Sequence, residues 1–264
     1  MTGSSLVVLA AGQGTRFGGL KQLVAIRDDG STVTDVLVRR AAAAGFEQAV
    51  IVVRPAIEEL MRTHVDEMGS AGIPVEFAVQ RRPRGTADAV LAARDTVGGP
   101  FVVANADDLY PAGAFSSLAE HLRDAPAHEH AVAGFRLDRT LVGSRPEARA
   151  LLTIDDAGAL AAVREGYVDK DGGLHFTTAT SVDGLRGDEI VSMNMWGFRP
   201  SVFDPLAAAL AELGAHDPDV EIFLPDVVAT MIAGGETVRV LRSDEACIGI
   251  TYREDVDALR AAQS

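Results

Sequence analysis

The stretch Leu6 to Lys21, LVVLAAGQGTRFGGLK, decides the fold. Leu6, Val7, Val8 and Leu9 form an aliphatic run without polar alternation, which suits a strand of a parallel sheet covered by helices on both faces. The run then stops in glycines. Gly12 and Gly14 permit positive φ and let main-chain N–H groups come close to a ligand, while Thr15, Arg16 and Lys21 place a hydroxyl and two cations around the same bend. With Leu9, Ala10 and Ala11 leading into it, the segment reads as a phosphate cradle. Lys21 is one of only two lysines, the other being Lys170, and arginine supplies the remaining positive charge. An ammonium is a compact charge that can follow a phosphate through a reaction, whereas a guanidinium prefers a fixed fork.

Strand and helix alternate outward from this loop. Residues 34–45 read as a helix closed by Gly45, 49–53 as a strand, 57–68 as a helix and 75–79 as a strand. A helix over 87–94 opens at Gly85-Thr86, and a strand over 101–104 ends in Asn105-Ala106-Asp107-Asp108. This pattern predicts an α/β fold with a doubly wound, mostly parallel, Rossmann-like sheet whose ligands sit at the carboxyl ends of the strands. Past Arg136 the helical periodicity fades. A hairpin is predicted from 151–154 and 160–163 around the turn 155–158, then a strand over 191–198 with Asn194 and Trp196 on one side. Helices over 205–213 and 224–232, a last strand over 247–251 and a closing helix from Glu254 complete the pattern. The hairpin region is expected to be an insertion forming the substrate half of a cleft.

Composition narrows the class of partner. At 264 residues, 47% hydrophobic but only 5% aromatic, the chain has an aliphatic core of adequate size. A net charge of −14 argues against nucleic acid, since a duplex binder needs a basic face. A polyanionic substrate must then be met by local cations and a metal. Cys247 is the single cysteine, which excludes a disulfide framework or a Cys-based zinc site within one chain and fits a reducing compartment. The expectation is a cytoplasmic protein without a membrane partner, as no leader pattern or apolar span is present in the sequence.

Two further groups carry chemistry. Asp107 and Asp108 sit where a buried strand meets solvent, and an oxygen ligand there suits Mg²⁺, which takes one or two carboxylates and completes its shell with water and phosphate. Asp107 is the expected ligand and Asp108 the alternative by one residue of register. Gln80 to Thr86, QRRPRGT, supplies an amide that offers donor and acceptor together, as reading a base edge requires, with Gly85 leaving room against the backbone. His128 and His130 are at metal-like spacing but are expected in a solvated turn. Trp196 is expected in a cleft wall or the core. Gly12, Gly14 and Gly18 do not form G-x-G-x-x-G and no ribose-binding acid follows, which disfavours a nicotinamide enzyme.

With LAAGQGTR, the downstream Lys21, NADD and VSMNMWGF in place, the chain resembles sugar-phosphate nucleotidyltransferases over most of its length. The resemblance implies that the loop from Ala10 to Arg16 holds a nucleoside triphosphate, that Lys21 touches phosphate, and that Gln80, Gly85 and Thr86 contact the base. It implies Asp107 as the Mg²⁺ ligand and Glu165 and Asn194 as sugar contacts. Arg16, Lys21 and Asp107 are then the catalytic set, acting on a nucleoside triphosphate and a sugar 1-phosphate with release of pyrophosphate. The chain divides accordingly into a nucleotide-binding half, 1–135, and an acceptor-binding half with the C-terminal helices, 136–264, within one domain. Ala150 stands where many relatives place Gly, and Thr251 where they often place a second metal-binding Asn or Asp, leaving Asp244, Asp108 or water to complete the shell. Transfer to an alcohol phosphate or a molybdopterin-type cofactor, and a non-catalytic nucleotide sensor, are the rival readings.

Overall fold

The computed structural model describes residues 3–14, 17–69, 71–143, 145–170, 173–179, 181–217 and 220–261. The first half consists of β1 (Ser5–Leu9), α1 (Val33–Ala43), β2 (Gln48–Val53), α2 (Glu58–Met68), β3 (Val75–Val79), α3 (Gly85–Ala92), β4 (Phe101–Asn105), β5 (Asp108–Leu109), α4 (Ala112–Asp124) and β6 (His130–Arg136). It continues with β7 (Glu147–Ile154), β8 (Leu160–Asp169), β9 (Leu174–Thr177), β10 (Val182–Leu185), β11 (Ile190–Phe198), α5 (Phe203–His216), α6 (Leu224–Ala233), β12 (Val238–Ser243), β13 (Ile248–Gly249) and α7 (Asp255–Ala261). Eleven strands make one sheet in the order β10-β9-β8-β7-β11-β4-β1-β2-β3, with β6 on β11 and β12 on β6. The pairings β4–β1–β2–β3 are all parallel, as is β6–β12, while the hairpin strands and β11 are antiparallel.

Leu6 and Val8 face one apolar layer and Val7 and Leu9 the other, so successive residues of β1 are buried on opposite faces. That accounts for the unbroken run of the opening sequence. The first layer is completed by α1, α2, α4 and α7, through side chains such as Leu37, Met61, Phe115 and Leu259. The second is completed by α3, α5 and α6, through Val90, Leu206 and Val228. The first helix starts at a capping box in which Asp35 N–H donates to Thr32 Oγ1 and Thr32 N–H donates to Asp35 Oδ2 at 2.7 Å.

Several elements differ from the sequence reading. The helix Ala112–Asp124 and the strand His130–Arg136 had no expectation, and the last strand shrinks to Ile248–Gly249. His128 is exposed, but His130 is fully buried at the start of β6, where its ring accepts from Arg199 N–H at 3.1 Å and meets Glu236 at 3.2 Å. A solvated turn is therefore wrong for His130, because strand pairing draws it inward. Trp196 belongs to the core, stacked on Phe198. No helix among the described residues is long and apolar enough to cross a membrane.

Candidate active site

The parallel strands β1 and β4 end side by side, and the loops that leave them define the first of two adjoining clefts. This cleft, about 510 Å³, is lined by Leu9, Ala11, Gly12, Gly14, Lys21, Gln80, Gly85, Thr86 and Asp107 among others. Thr15 and Arg16 lie outside the described residues. Gly14 takes φ +63°, and a Cβ there would lie 2.9 Å from Gly19 O, so glycine is required at this bend. Gly12, by contrast, does not have positive φ. Ala10 departs from its expected role: it is buried, its N–H donates to Val52 O at 2.8 Å and its carbonyl accepts from Gln22 at 3.0 Å. Its backbone is occupied by the fold.

Gln22 and Arg54 are the residues that sequence reading missed here. The buried Gln22 amide donates to both Ala10 O and Gly12 O, and Arg54 from the end of β2 donates to Gly12 O at 2.6 Å. Both brace the loop from behind. Their spacing gave no signal, since Gln22 only follows Lys21 and Arg54 lies a full βα unit away.

Lys21 ion-pairs with Asp107 across the mouth of this cleft, and both side chains are partly buried. Asp107 thus faces the loop cation, while Asp108 turns away. The Asp108 carboxylate accepts from Asn105 Nδ2 at 2.8 Å, lies 3.2 Å from Tyr110 Oη and packs against Gly249, whose missing Cβ it replaces. Burial first, and the neighbouring Asp107 charge second, push its carboxyl up to about 7.

The expected base-reading group has mainly internal partners. Gln80 Nε2 donates to Gly85 O and to Asp88 Oδ2, both at 3.0 Å, and Thr86 Oγ1 accepts from Leu224 N–H at 2.9 Å. Gly85 is glycine because its φ is +83° and a Cβ would fall 2.3 Å from Ile222 O. The close approach expected for a base is made by the chain's own backbone. All three residues still line the cleft, at its wall.

The second cleft opens where the sheet divides. Ser192 pairs with Gly134 of β6 and with Ala150 of β7, whereas Trp196 pairs with Val132 of β6 and with Val103 of β4. One edge of β11 therefore stays with β6 while the other changes partner from β7 to β4. Asn194 sits at this fork with φ +61°, a conformation that asparagine tolerates better than most residues. Trp196 Nε1 donates to Asn194 Oδ1, Asn194 Nδ2 to Asn105 Oδ1 and Asn105 Nδ2 to Asp108, each at 2.8 Å. This chain ties the fork to the end of β4.

Asn194, Glu165, Ala150, Arg149, Thr178 and Phe223 line this cleft of about 730 Å³, and Thr86, Asn105, Asp107 and Phe223 belong to both clefts. The structure thus brings Glu165 and Asn194 to one side of Asp107 and the glycine loop to the other. Partial desolvation, with Asp226 next, raises the Glu165 carboxyl. Arg149 is buried and committed to Thr140 and Glu147, and Glu147 also holds Lys170. Thr251 lines the cleft, but Asp244 lies on a separate cavity beside Gly113 and Arg242, so it is no substitute ligand.

Among the described residues no three His, Cys, Asp or Glu side chains cluster as a metal cage. A single carboxylate at the junction of two clefts still fits Mg²⁺, which draws its remaining ligands from water and phosphate. Asp107 is the residue that would hold it.

The nucleotidyl transferase family matches residues 5–143, slightly more than half of the chain. The chain belongs to this family. Among curated members, it is 28% identical over 253 residues to the bifunctional protein GlmU of Anaeromyxobacter sp. (strain Fw109-5), covering 95% of this chain and 47% of that one. It therefore spans about half the length of the GlmU relatives it matches. It is 24% identical over 254 residues to the UTP–glucose-1-phosphate uridylyltransferase AglF of Haloferax volcanii, covering 95% and 93%. In fold, this nucleotidyl transferase is similar to the inositol-1-phosphate CTP transferase from T. maritima, with a TM-score of 0.70, 15% identity and coverage of 98% and 95%. A UDP-glucose pyrophosphorylase complexed with UDP-glucose gives a TM-score of 0.68 at 16% identity, covering 99% and 98%.

Proposed function

We propose that this chain transfers a nucleoside monophosphate group from a nucleoside triphosphate to a sugar 1-phosphate, releasing pyrophosphate and forming a nucleoside diphosphate sugar. The observation that carries this reading is the meeting of two clefts at Asp107, one built on the glycine loop and the other on the forked sheet. AglF, which matches along nearly its whole length, is a UTP–glucose-1-phosphate uridylyltransferase, and that supports the same substrate pair here.

The acceptor phosphate already bears negative charge near neutral pH, so positioning and charge compensation suffice without a strong general base. The difficulty is repulsion: like unit charges at 4 Å oppose each other by about 4 kcal/mol at an effective dielectric of 20. Lys21, released from Asp107 by the incoming phosphates, neutralises part of that charge and part of the charge growing on pyrophosphate. Arg16 is proposed for the same task from the loop. Asp107 would hold Mg²⁺, which when bound would supply further neutralisation of the phosphate charge. Asn105 and Asn194 keep the carboxylate loop and the fork in register, and Glu165 accepts from acceptor hydroxyls.

The test is pyrophosphate release from a panel of triphosphates with Mg²⁺ and either sugar 1-phosphates or alcohol phosphates. Release with a sugar 1-phosphate is expected. Release only with alcohol phosphates would reassign the acceptor, and none with any acceptor, despite triphosphate binding, would make the protein a nucleotide sensor.

A further inference from the structure

The hairpin strands present a single face to α6 and to the second cleft, and along that face the cover runs out. Leu152 and Val163, paired across β7 and β8, are packed in the second apolar layer with α6. The next rung toward the cleft is Ala150 with Glu165, and the one beyond is Ala148 with Tyr167, which is also paired with Thr177 of β9. All of these cleft-side residues line the cavity that contains Asp107 and Asn194. Tyr167 is 55% exposed although the Leu152–Val163 rung on the same sheet face is packed in the second apolar layer. Its cross-strand neighbours, Ala148 and Thr177, are small and exposed, so neither covers the ring. Phe223, also exposed, lines the same cleft from the entry to α6.

Leaving a large ring in water forgoes the free energy of burying it. A ligand whose own apolar face lies on that ring recovers this energy, and an aromatic platform suits a flat, C–H-rich ring better than a flexible chain. Glu165 lies two residues before Tyr167 on the same face, so a ring seated on the platform meets a carboxylate at its edge, where hydroxyls project. The charged residues of the cleft are Asp107, Asp108, Glu147, Glu165 and the already paired Arg149. Nothing there welcomes a second anionic group.

We propose that Tyr167 is an acceptor-specificity residue: its ring is the platform on which a cyclic polyol phosphate without a further acidic substituent is seated, in preference to an acyclic alcohol phosphate. This rests on the reading of the second cleft as the acceptor site. The test compares wild type, Tyr167→Phe and Tyr167→Ala with glucose 1-phosphate, inositol 1-phosphate, glucuronic acid 1-phosphate and glycerol 3-phosphate. The expected result for Tyr167→Ala is a KM for the neutral cyclic acceptors raised about tenfold or more with kcat much less affected, and a cyclic-over-acyclic selectivity lowered by a similar factor. Tyr167→Phe keeps the ring and restores most of both. Glucuronic acid 1-phosphate is expected to be the poorest cyclic acceptor. An equal KM change for glycerol 3-phosphate, a wild type that prefers it, or an unaltered selectivity in Tyr167→Ala would overturn the proposal.

Saturation-transfer NMR distinguishes seating on the Tyr167 ring from transfer to the acceptor. Ring protons of glucose 1-phosphate should receive saturation from wild type and markedly less in Tyr167→Ala at the same acceptor concentration, while the dissociation constant of the triphosphate stays the same. That outcome without any pyrophosphate release would leave the platform standing and remove the transfer reading; release without ring contact would do the reverse.

Discussion

Lys21 and Asp107 are 86 positions apart in sequence and come into contact because β1 and β4 are parallel neighbours whose following loops leave at the same end. Replacing Lys21 with alanine should lower turnover by about 10²–10³-fold, the usual cost of losing one preorganised charge-stabilising group. Thermal unfolding should move little, since Asp107 retains access to water; steady-state kinetics beside a melting curve checks both. Asp108 gives a prediction of the opposite kind. Its folded value of about 7 lies above the ordinary 3.8, so the stability associated with the neutral acid is fully present below about pH 4 and is lost as pH rises through 7. A shift of about three units corresponds to an effect on the order of 4 kcal/mol. With chelator present, the melting temperature should fall between pH 5 and pH 8, and Asp108→Asn should flatten that slope. A slope unchanged by the substitution would refute it. The residue types at the glycine loop and at Asp107 were legible because they follow apolar runs. The chain from Trp196 through Asn194 and Asn105 to Asp108 was not, because its central link, Asn194 to Asn105, joins strands 89 positions apart in sequence.

At the level of elements, α3 and α6 are joined end to end. Ile222 N–H donates to Arg84 O and Ala87 N–H donates to Ile222 O, both at 3.0 Å, around the bare Cα of Gly85. Gly85→Ala should therefore destabilise the protein by about 2 kcal/mol or more, through a positive φ and a backbone clash together, and denaturant titration would register it as a lower midpoint. The same bonds explain why sequence reading assigned Gly85 and Thr86 to a ligand: their partners, Ile222 and Leu224, lie more than 130 positions downstream. The alternation of β1, β2 and β4 with helices was readable because buried parallel strands are continuous apolar runs. The helix Ala112–Asp124 went unseen since Gly113, Ser116 and Ser117 dilute its apolar stripe, which Phe115, Leu118 and Leu122 nevertheless supply. The strand from His130 escaped notice because the strands that flank and bury it, β11 and β12, come much later in the sequence.

For the molecule as a whole, the proposed substrates bind surfaces drawn from both halves of the chain, and their binding adds directly to folding stability. A triphosphate with Mg²⁺ at 100 times its dissociation constant should stabilise by about 2.7 kcal/mol, or roughly 5–10 °C for a chain of this size. Differential scanning fluorimetry across the four common triphosphates should pick out one base; no shift with any of them would remove the nucleotide from the account. The forked sheet sets a further limit. Because β11 is paired with β6 on both sides of the bulge between Ser192 and Trp196 while its other edge passes from β7 to β4, one continuous strand spans the two compartments like the bar of a caliper. Bulkier acceptors would have to be accommodated by trimming side chains at the rim, so diversification in proteins of this build should proceed by whittling the walls.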